Sequence, residues 1–440
     1  MRFDYNKIWK NFTGATIIKV SFYNAVSVIF KVLFSYISNK AIVIYLGPVG
    51  TALTEQMRNF VQAVQGIATM GIHEGVIRYS SQYKNRLKRL ALFLRATYRM
   101  IFIASVVLMM VIVVFAPKIN NILFSGRNYV LLIYITAFLI PIYALQVILL
   151  AILHGFQQYK KVTVIITLLH FFSMILMVTL IWQLDMTGAL LTVIMTPVIA
   201  FVIILAFIGK DFKKIFLIPL TNGKQGSQNQ QYLKRLLPFV IMAGVTAFII
   251  PLSTIAIRNI IINHFASEGQ RFAGYWDAIR KVSMFYFMFI APVFNMYYFP
   301  AISKNPSRQE WKKHAKEMLV KFYPFILAGM ILIYLFRHYV TLIIFSDEYL
   351  PMNNLYGWQL SADFIRLIAL LLAYKFWSQA LVNQYLFAEI SYWILFYVLS
   401  TVLIKSMGLA GVMKAYFLVN LYYLFIVIFI FRKDLRPSLN

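Results

Sequence analysis

Ionisable side chains interrupt stretches that otherwise read as lipid-embedded, and they are unevenly shared among those stretches. Lys31, Lys40, Arg58, Arg258, Arg280, Lys281 and Arg366 lie within apolar segments, together with Glu55, Glu74, Asp277 and Asp363. Segments 100–116, 162–184, 186–209, 322–336, 390–404 and 415–431 contain no Asp, Glu, Lys or Arg. An ionised group at bilayer depth costs about 3 kcal/mol or more, so it normally faces a partner or a wet cavity. A few charged helices among many greasy ones imply a water-accessible chamber with mainly positive walls. Such a chamber suits an anionic ligand. Carboxylates in a low-dielectric chamber can also exchange protons, which makes Glu55, Glu74, Asp277 and Asp363 candidate ion-coupling groups.

Helical spacing sorts these groups onto faces, because positions three, four and seven apart align. Asn24, Lys31, Ser35 and Ser38 form one stripe; Glu55, Arg58, Asn59, Gln62, Gln65 and His73 form a second; Asp277, Arg280, Lys281 and Asn295 form a third. A regular helix puts Lys40 on the face opposite Lys31, so either that helix bends or Lys40 faces the mouth of the chamber. Blander readings stand beside these. Lys19, Lys375, Lys405 and Lys414 lie toward segment ends and can snorkel. Glu55 with Arg58, and Asp363 with Arg366, can serve as helix-to-helix clamps. His170, alone in a greasy segment, reads as a packing residue. Among the aromatics, Tyr275, Trp276, Tyr297 and Tyr298 are placed to offer ring platforms to sugars.

Enzyme signatures are thin. The sequence has no GxxxxGK[ST] nucleotide loop, no HExxH and no cysteine, so ATP hydrolysis, thiol-based metal sites and disulfides are not expected. The acids and histidines fall at no metal-ligand spacing. No catalytic residue, metal or cofactor is expected.

The elements that must position these residues follow from composition. The 440 residues are 61% hydrophobic, with mean hydropathy +0.75, well above a soluble domain. At about 20 apolar residues per crossing, spans fall near 17–46, 53–79, 93–116, 129–156, 162–184, 187–209, 236–263, 272–301, 319–338, 356–383, 386–405 and 409–431. The fold class is therefore all-α, a polytopic membrane protein of about twelve helices around a central cationic cavity. Residues 4–14 read as a short interfacial helix, and no cleavable signal peptide is expected. The net charge of +28 gathers in alternate loops, as the positive-inside rule expects of cytoplasmic segments. This places both termini in the cytoplasm and removes the need for a nucleic-acid partner. The polar stretch 210–235, containing TNGKQGSQNQQ, marks a linker. It separates two six-helix lobes, 1–209 and 236–440. Glu55-Gln-Met-Arg58 after Gly50 parallels Asp277-Ala-Ile-Arg280 after Gly274. This implies two repeats related by an axis along the membrane normal.

Several islands carry a family likeness: Lys31 to Lys40 running into Tyr45-Leu-Gly-Pro-Val-Gly50, Arg58-Asn-Phe, Gly75-Val-Ile-Arg-Tyr79 with Gln82-Tyr83, Arg258, Gly274-Tyr-Trp276, Phe299-Pro300 with Ser303, Trp358-Gln-Leu360 with Asp363, and Ala388-Glu389. On these the chain resembles the Wzx polysaccharide flippases of the multidrug/oligosaccharidyl-lipid/polysaccharide exporter superfamily. Asp277 departs from the family pattern, so an Asp277–Arg280 pair is particular to this chain. The resemblance implies two lobes that rock between inward- and outward-open forms in a bacterial inner membrane. Its implied cargo is undecaprenyl diphosphate bearing a repeat unit of O-antigen, common-antigen or capsule type, moved from cytoplasmic to periplasmic leaflet while the tail stays in membrane lipid. It implies Lys31, Arg58, Arg258 and Arg280 as diphosphate or glycan contacts, with Lys40 and Lys281 as further ones. A periplasmic-side polymerase and a chain-length regulator are the implied partners. The alternatives are a multidrug cation antiporter of the same superfamily and a membrane glycosyltransferase or ligase acting on the same lipid.

Overall fold

The computed structural model describes residues 14–83, 86–124, 127–156, 158–209, 227–294, 298–299, 302, 308–379 and 381–435. The expected interfacial helix at 4–14 and residues 210–226 of the expected linker lie outside them, but for Gly14, the first helical residue. So do Asn295, Tyr297, Pro300 and Ser303, and the side chains of Lys19, Asn24 and Glu74. The described chain runs α1 (Gly14–Thr69), α2 (His73–Tyr83), α3 (Leu87–Phe124), α4 (Val130–Gly155), α5 (Tyr159–Ile208), α6 (Ser227–Phe265), α7 (Gly269–Val293), α8 (Arg308–Lys321), α9 (Tyr323–Leu335), α10 (Arg337–Ile344), α11 (Tyr356–Ser378), α12 (Val382–Ile430) and α13 (Arg432–Leu435). Helix is already present at Ser227, inside the stretch expected as linker.

Among the described residues, seven helices are long and apolar enough to cross a membrane. Four of them reverse direction, at Gly47 in α1, Asp185 in α5, Ala266 between α6 and α7, and Gly408 in α12. Each of these therefore crosses twice. With α11, whose Asp363, Arg366 and Lys375 dilute its apolar signal, the crossings make the twelve-helix, two-lobe architecture.

One device builds the sharp reversals. Gly47, Asp185, Ala266 and Gly408 all adopt positive φ, between 45° and 59°, and a glycine follows three residues later in every case: Gly50, Gly188, Gly269 and Gly411. A positive φ turns the chain back on itself, at a cost for any residue with a Cβ. The glycine then lets the returning helix lie on the outgoing one. A Cβ on Gly188 would sit 1.9 Å from the Leu180 carbonyl oxygen, and one on Gly411 would sit 2.2 Å from that of Leu403. The four hairpins join crossings 1–2, 5–6, 7–8 and 11–12, so the same joints carry the device in both lobes.

Each lobe has its own apolar core. One is built from buried residues between Ala41 and Ile208 with Ile255 added. The other runs from Met242 to Phe431 and takes in Val43 and Ala52. The exchanged residues mark the seam, where α1 meets α6 and α7. Along α6 the second leg of α1 stays close: a Cβ on Gly66 would lie 3.0 Å from the Ala247 Cβ. Along α7 the first leg closes near the Gly47 reversal, where a Cβ on Gly274 would lie 2.0 Å from the Pro48 carbonyl oxygen. Farther along, Ile29, Phe30, Leu33 and Ile37 of α1 and Met284 and Phe289 of α7 are exposed apolar residues.

Candidate functional site

Two adjoining cavities occupy the interior, one in each lobe. The first, about 430 Å³, is lined by Lys31, Ser35, Ser38 and Asn39 of the first leg of α1 and by Glu55, Arg58, Gln62 and Gln65 of the second. Gln146 of α4, His170 and Ser173 of α5, Thr192 and Thr196 beyond the α5 reversal, and Lys281 of α7 complete it. The second, about 320 Å³, is lined by Thr254, Trp276, Arg280, Ser283, Gln359, Asp363, Arg366, Tyr392, Trp393, Phe396 and Tyr416. Met284 of α7 lines both. The helix α7 is thus the shared wall, and its consecutive cations diverge: Arg280 faces the second cavity and Lys281 the first.

The polar stripes expected from spacing largely converge here. Asn59, which turns back to donate to the Glu55 carbonyl, His73, and Asp277, which is held by Arg258, line neither cavity. The two acid-x-x-Arg steps both form. Arg58 Nε lies 3.2 Å from Glu55 Oε1, and Arg280 Nη1 lies 3.6 Å from Asp277 Oδ1. Glu55 also reaches across the seam to Lys281 at 3.1 Å, and Lys281 donates to Asn39 Oδ1 at 2.7 Å. Arg280 stacks on Trp276, 4.6 Å from its ring centroid. Arg58 keeps 42% of its side chain exposed, whereas Lys31 has no carboxylate within 4.0 Å among the described residues.

Arg258 and Lys40 lie elsewhere. Arg258 is 0% exposed and lines neither cavity. Its Nε and Nη2 donate to the two Asp277 oxygens at 2.8 and 2.6 Å, and its Nη1 donates to Gln56 of the other lobe. Gln56 in turn donates to Asn259. Lys40, with no break in the helix between it and Lys31, faces the other way. It donates to the carbonyls of Leu342 and Ile343 at 3.2 and 3.3 Å and to that of Phe345, at the C-terminus of α10. Tyr36 joins it by donating to the Ile343 carbonyl at 2.8 Å. A cation at a helix C-terminus completes carbonyls the helix leaves open.

Asp363 and Arg366 do not clamp each other. Asp363, 1% exposed, accepts from Ser283 at 2.6 Å, Gln359 at 2.9 Å, Tyr416 at 2.7 Å and also Tyr286. Arg366 pairs with Glu389 of α12 at 3.6 Å and sits between the Tyr392 and Tyr423 rings, 4.4 and 4.2 Å from their centroids. His170, expected as packing, lines the first cavity. Of the four expected aromatic platforms, Trp276 lines the second cavity. Tyr275 packs on Tyr349, and Tyr298 is buried, donating to the Leu371 carbonyl. Lys375, expected to snorkel, is 3% exposed, bonded to Asp434 at 2.8 Å and set over Trp311. Arg366, named among the chamber cations but not among the ligand contacts, lines the second cavity, as do Tyr392 and Trp393, which carry no signal in the sequence. The Ala388-Glu389 island pointed at the Arg366 partner, but no spacing joins residues on separate helices.

Five cations (Lys31, Arg58, Arg280, Lys281 and Arg366) face these cavities against the carboxylates of Glu55 and Asp363. Four buried polar atoms on the walls, Arg58 Nε, Arg366 Nη1, Trp393 Nε1 and Ser173 Oγ, make no hydrogen bond, although Arg58 Nε keeps its ion pair with Glu55. Buried donors left unmet are costly, so the walls are set to receive acceptors. No group of three or more metal-type ligands occurs among the described residues.

Comparison with known proteins fits this geometry. The chain is 25% identical over 398 residues to the lipid III flippases of Escherichia coli (strain K12) and Shigella flexneri, covering 90% of this chain and 94% of each relative. Among solved structures it matches the inward-facing conformation of a multidrug resistance MATE family transporter of the MOP superfamily, with TM-score 0.69 and 14% identity over 92% of this chain and 94% of the other. The outward-facing conformation of such a transporter matches at TM-score 0.63 and 14% identity, over 95% and 94%. A MOP superfamily transporter from Pyrococcus furiosus, described as having a binding pocket of reverse polarity, matches at 0.62 and 13% identity, over 94% and 95%. These likenesses carry the fold. A family model described as polysaccharide biosynthesis protein matches residues 17–305, about two thirds of the sequence, and the chain belongs to that family.

Proposed function

We propose that this protein is a flippase that carries an undecaprenyl-diphosphate-linked oligosaccharide repeat unit from the cytoplasmic to the periplasmic leaflet by alternating access. The observation that carries the reading is the pair of cavities whose cations exceed their carboxylates and which meet at α7 between the lobes. A diphosphate needs several donors at once, and Arg supplies two parallel ones. In this reading Lys31, Arg58, Lys281, Arg280 and Arg366 contact diphosphate or glycan, and Trp276, Tyr392 and Trp393 offer ring faces to sugars. Arg258 and Lys40 hold the lobes together instead. The exposed apolar residues of α1 and α7 along the seam give the polyprenyl tail a path in contact with lipid.

In this reading no bond is made or broken, and the relatives at 25% identity are flippases. A multidrug cation would meet net repulsion from these walls. The basic loops set both termini in the cytoplasm, so the sharp reversals face the periplasm of a bacterial inner membrane. Glu55, Glu74, Asp277 and Asp363 remain the candidate coupling carboxylates. Asp363 suits that role best, because it is held by neutral donors and can take up a proton or cation without breaking an ion pair. If Asp363→Asn leaves transport and its pH dependence intact, the assignment fails. A periplasmic polymerase with its chain-length regulator would draw cargo forward.

The test is genetic. Deleting the gene should accumulate lipid-linked repeat units inside the cell. Arg58→Ala or Arg280→Ala should abolish surface glycan while protein abundance stays near normal. Lost abundance would assign those arginines to folding instead.

A further inference from the structure

A third cavity lies apart from the central pair. It is a groove of about 780 Å³ between α9 and α11, lined by Leu327, Met330, Ile331 and Tyr334 on one side and by Gly357, Trp358, Ser361, Phe364 and Ile365 on the other. Asp363 and Gln359 point from α11 into the interior, so the groove opens on the lipid-facing side. Its mouth is polar: Arg337, Asn353 and Asn354 close it at the end of the molecule that carries the Gly47 and Gly408 reversals. Arg337 donates to the Tyr334 carbonyl at 3.0 Å and lies 4.6 Å from the Tyr334 ring centroid. No carboxylate falls within 4.0 Å of it among the described residues. A lipid-facing apolar slot that ends in a guanidinium with no carboxylate beside it suits a lipid with a charged phosphate head.

We propose that this groove binds one anionic phospholipid of the leaflet at that end, its phosphate on Arg337 and an acyl chain on the walls down to Phe364. One cation suits a single phosphodiester, whereas the central cavities marshal five cations. The helix α10 begins at Arg337 and ends on Lys40 of the other lobe. A lipid seated here therefore touches the element that closes the lobes at that end. The proposal goes beyond transport and stands whether or not the cargo assignment holds.

Native mass spectrometry of the full-length protein in detergent tests it, with 1-palmitoyl-2-oleoyl-phosphatidylglycerol as probe. The diacylglycerol with the same chains and undecaprenyl phosphate serve as comparisons. Phosphatidylglycerol should stay bound in preference to both. Arg337→Gln should weaken it about fivefold, the effect of one surface charge, and Arg337→Lys should restore it. Gly357→Leu, which fills the slot at a site where a Cβ meets nothing closer than 3.5 Å and raises helix propensity, should displace the lipid. Arg58→Gln should leave it bound. Equal retention of diacylglycerol, preference for undecaprenyl phosphate, or unchanged binding in both Arg337→Gln and Gly357→Leu would overturn the proposal. Should Arg337→Gln fail to fold, Gly357→Leu decides alone.

Discussion

Among the described residues Arg258 is the most deeply buried cation. Its guanidinium joins Asp277 through two hydrogen bonds and Gln56 through a third, with no exposed surface. Breaking a buried pair by removing one partner typically costs about 3–5 kcal/mol, whereas replacing both by apolar groups is often neutral. Asp277→Asn should therefore lower thermal stability in detergent by about that amount, and Arg258→Met with Asp277→Leu should recover most of it. A stable Asp277→Asn variant that transports without pH dependence would instead make Asp277 a coupling group. The residue scale also shows what a sequence reveals. Glu55–Arg58 and Asp277–Arg280 were legible because one helix turn sets their separation. Lys281 with Glu55 and Arg366 with Glu389 join separate helices, and spacing along a chain cannot choose partners across a bundle. Lys40 illustrates the same limit: the helical period placed it opposite Lys31, but not against the carbonyls of α10.

The helical hairpins show sequence and structure agreeing closely. The breaks near 47, 185 and 408 were legible because turns and charge-free spans frame them. The positive φ at Asp185 was not, since nothing local forbids helix there. The returning helix needs the glycine that follows. Gly411→Ala would drive a Cβ to 2.2 Å from the Leu403 carbonyl oxygen, a backbone atom that cannot swing aside. Overpacking of this kind costs about 1–3 kcal/mol, so thermal unfolding of the variant should move down by several degrees. An unchanged midpoint would mean that the two legs of α12 lie farther apart than described. The crossing α11 carried a diluted apolar signal for the same reason that it matters: one face meets the cavity and holds Gln359, Asp363 and Arg366.

The whole molecule is two lobes joined along α1, α6 and α7, and the cavities lie on either side of that joint. The number of crossings and the two-lobe plan were legible from periodicity and charge. How the lobes touch was not, because it depends on close backbone approaches such as Gly274 on Pro48. The chain has no cysteine, so an engineered pair reports without background. Gly66→Cys with Ala247→Cys sets the two Cβ positions 3.0 Å apart before relaxation, so a small opening of the seam brings them to the roughly 3.5–4.5 Å of a disulfide. Oxidation should staple the lobes and stop transport, and reduction should restore it. Transport that survives the staple would argue against rocking of one lobe on the other.

The most direct measurement follows lipid-linked oligosaccharide between leaflets of proteoliposomes containing the purified protein. The wild type should redistribute chemically unaltered cargo, and Arg58→Ala with Arg366→Ala should slow that redistribution at least about tenfold, the effect of losing charged hydrogen bonds to phosphate. Redistribution at the wild-type rate in the double variant, or a changed product, would contradict the claim that these two cavities capture phosphate-bearing cargo.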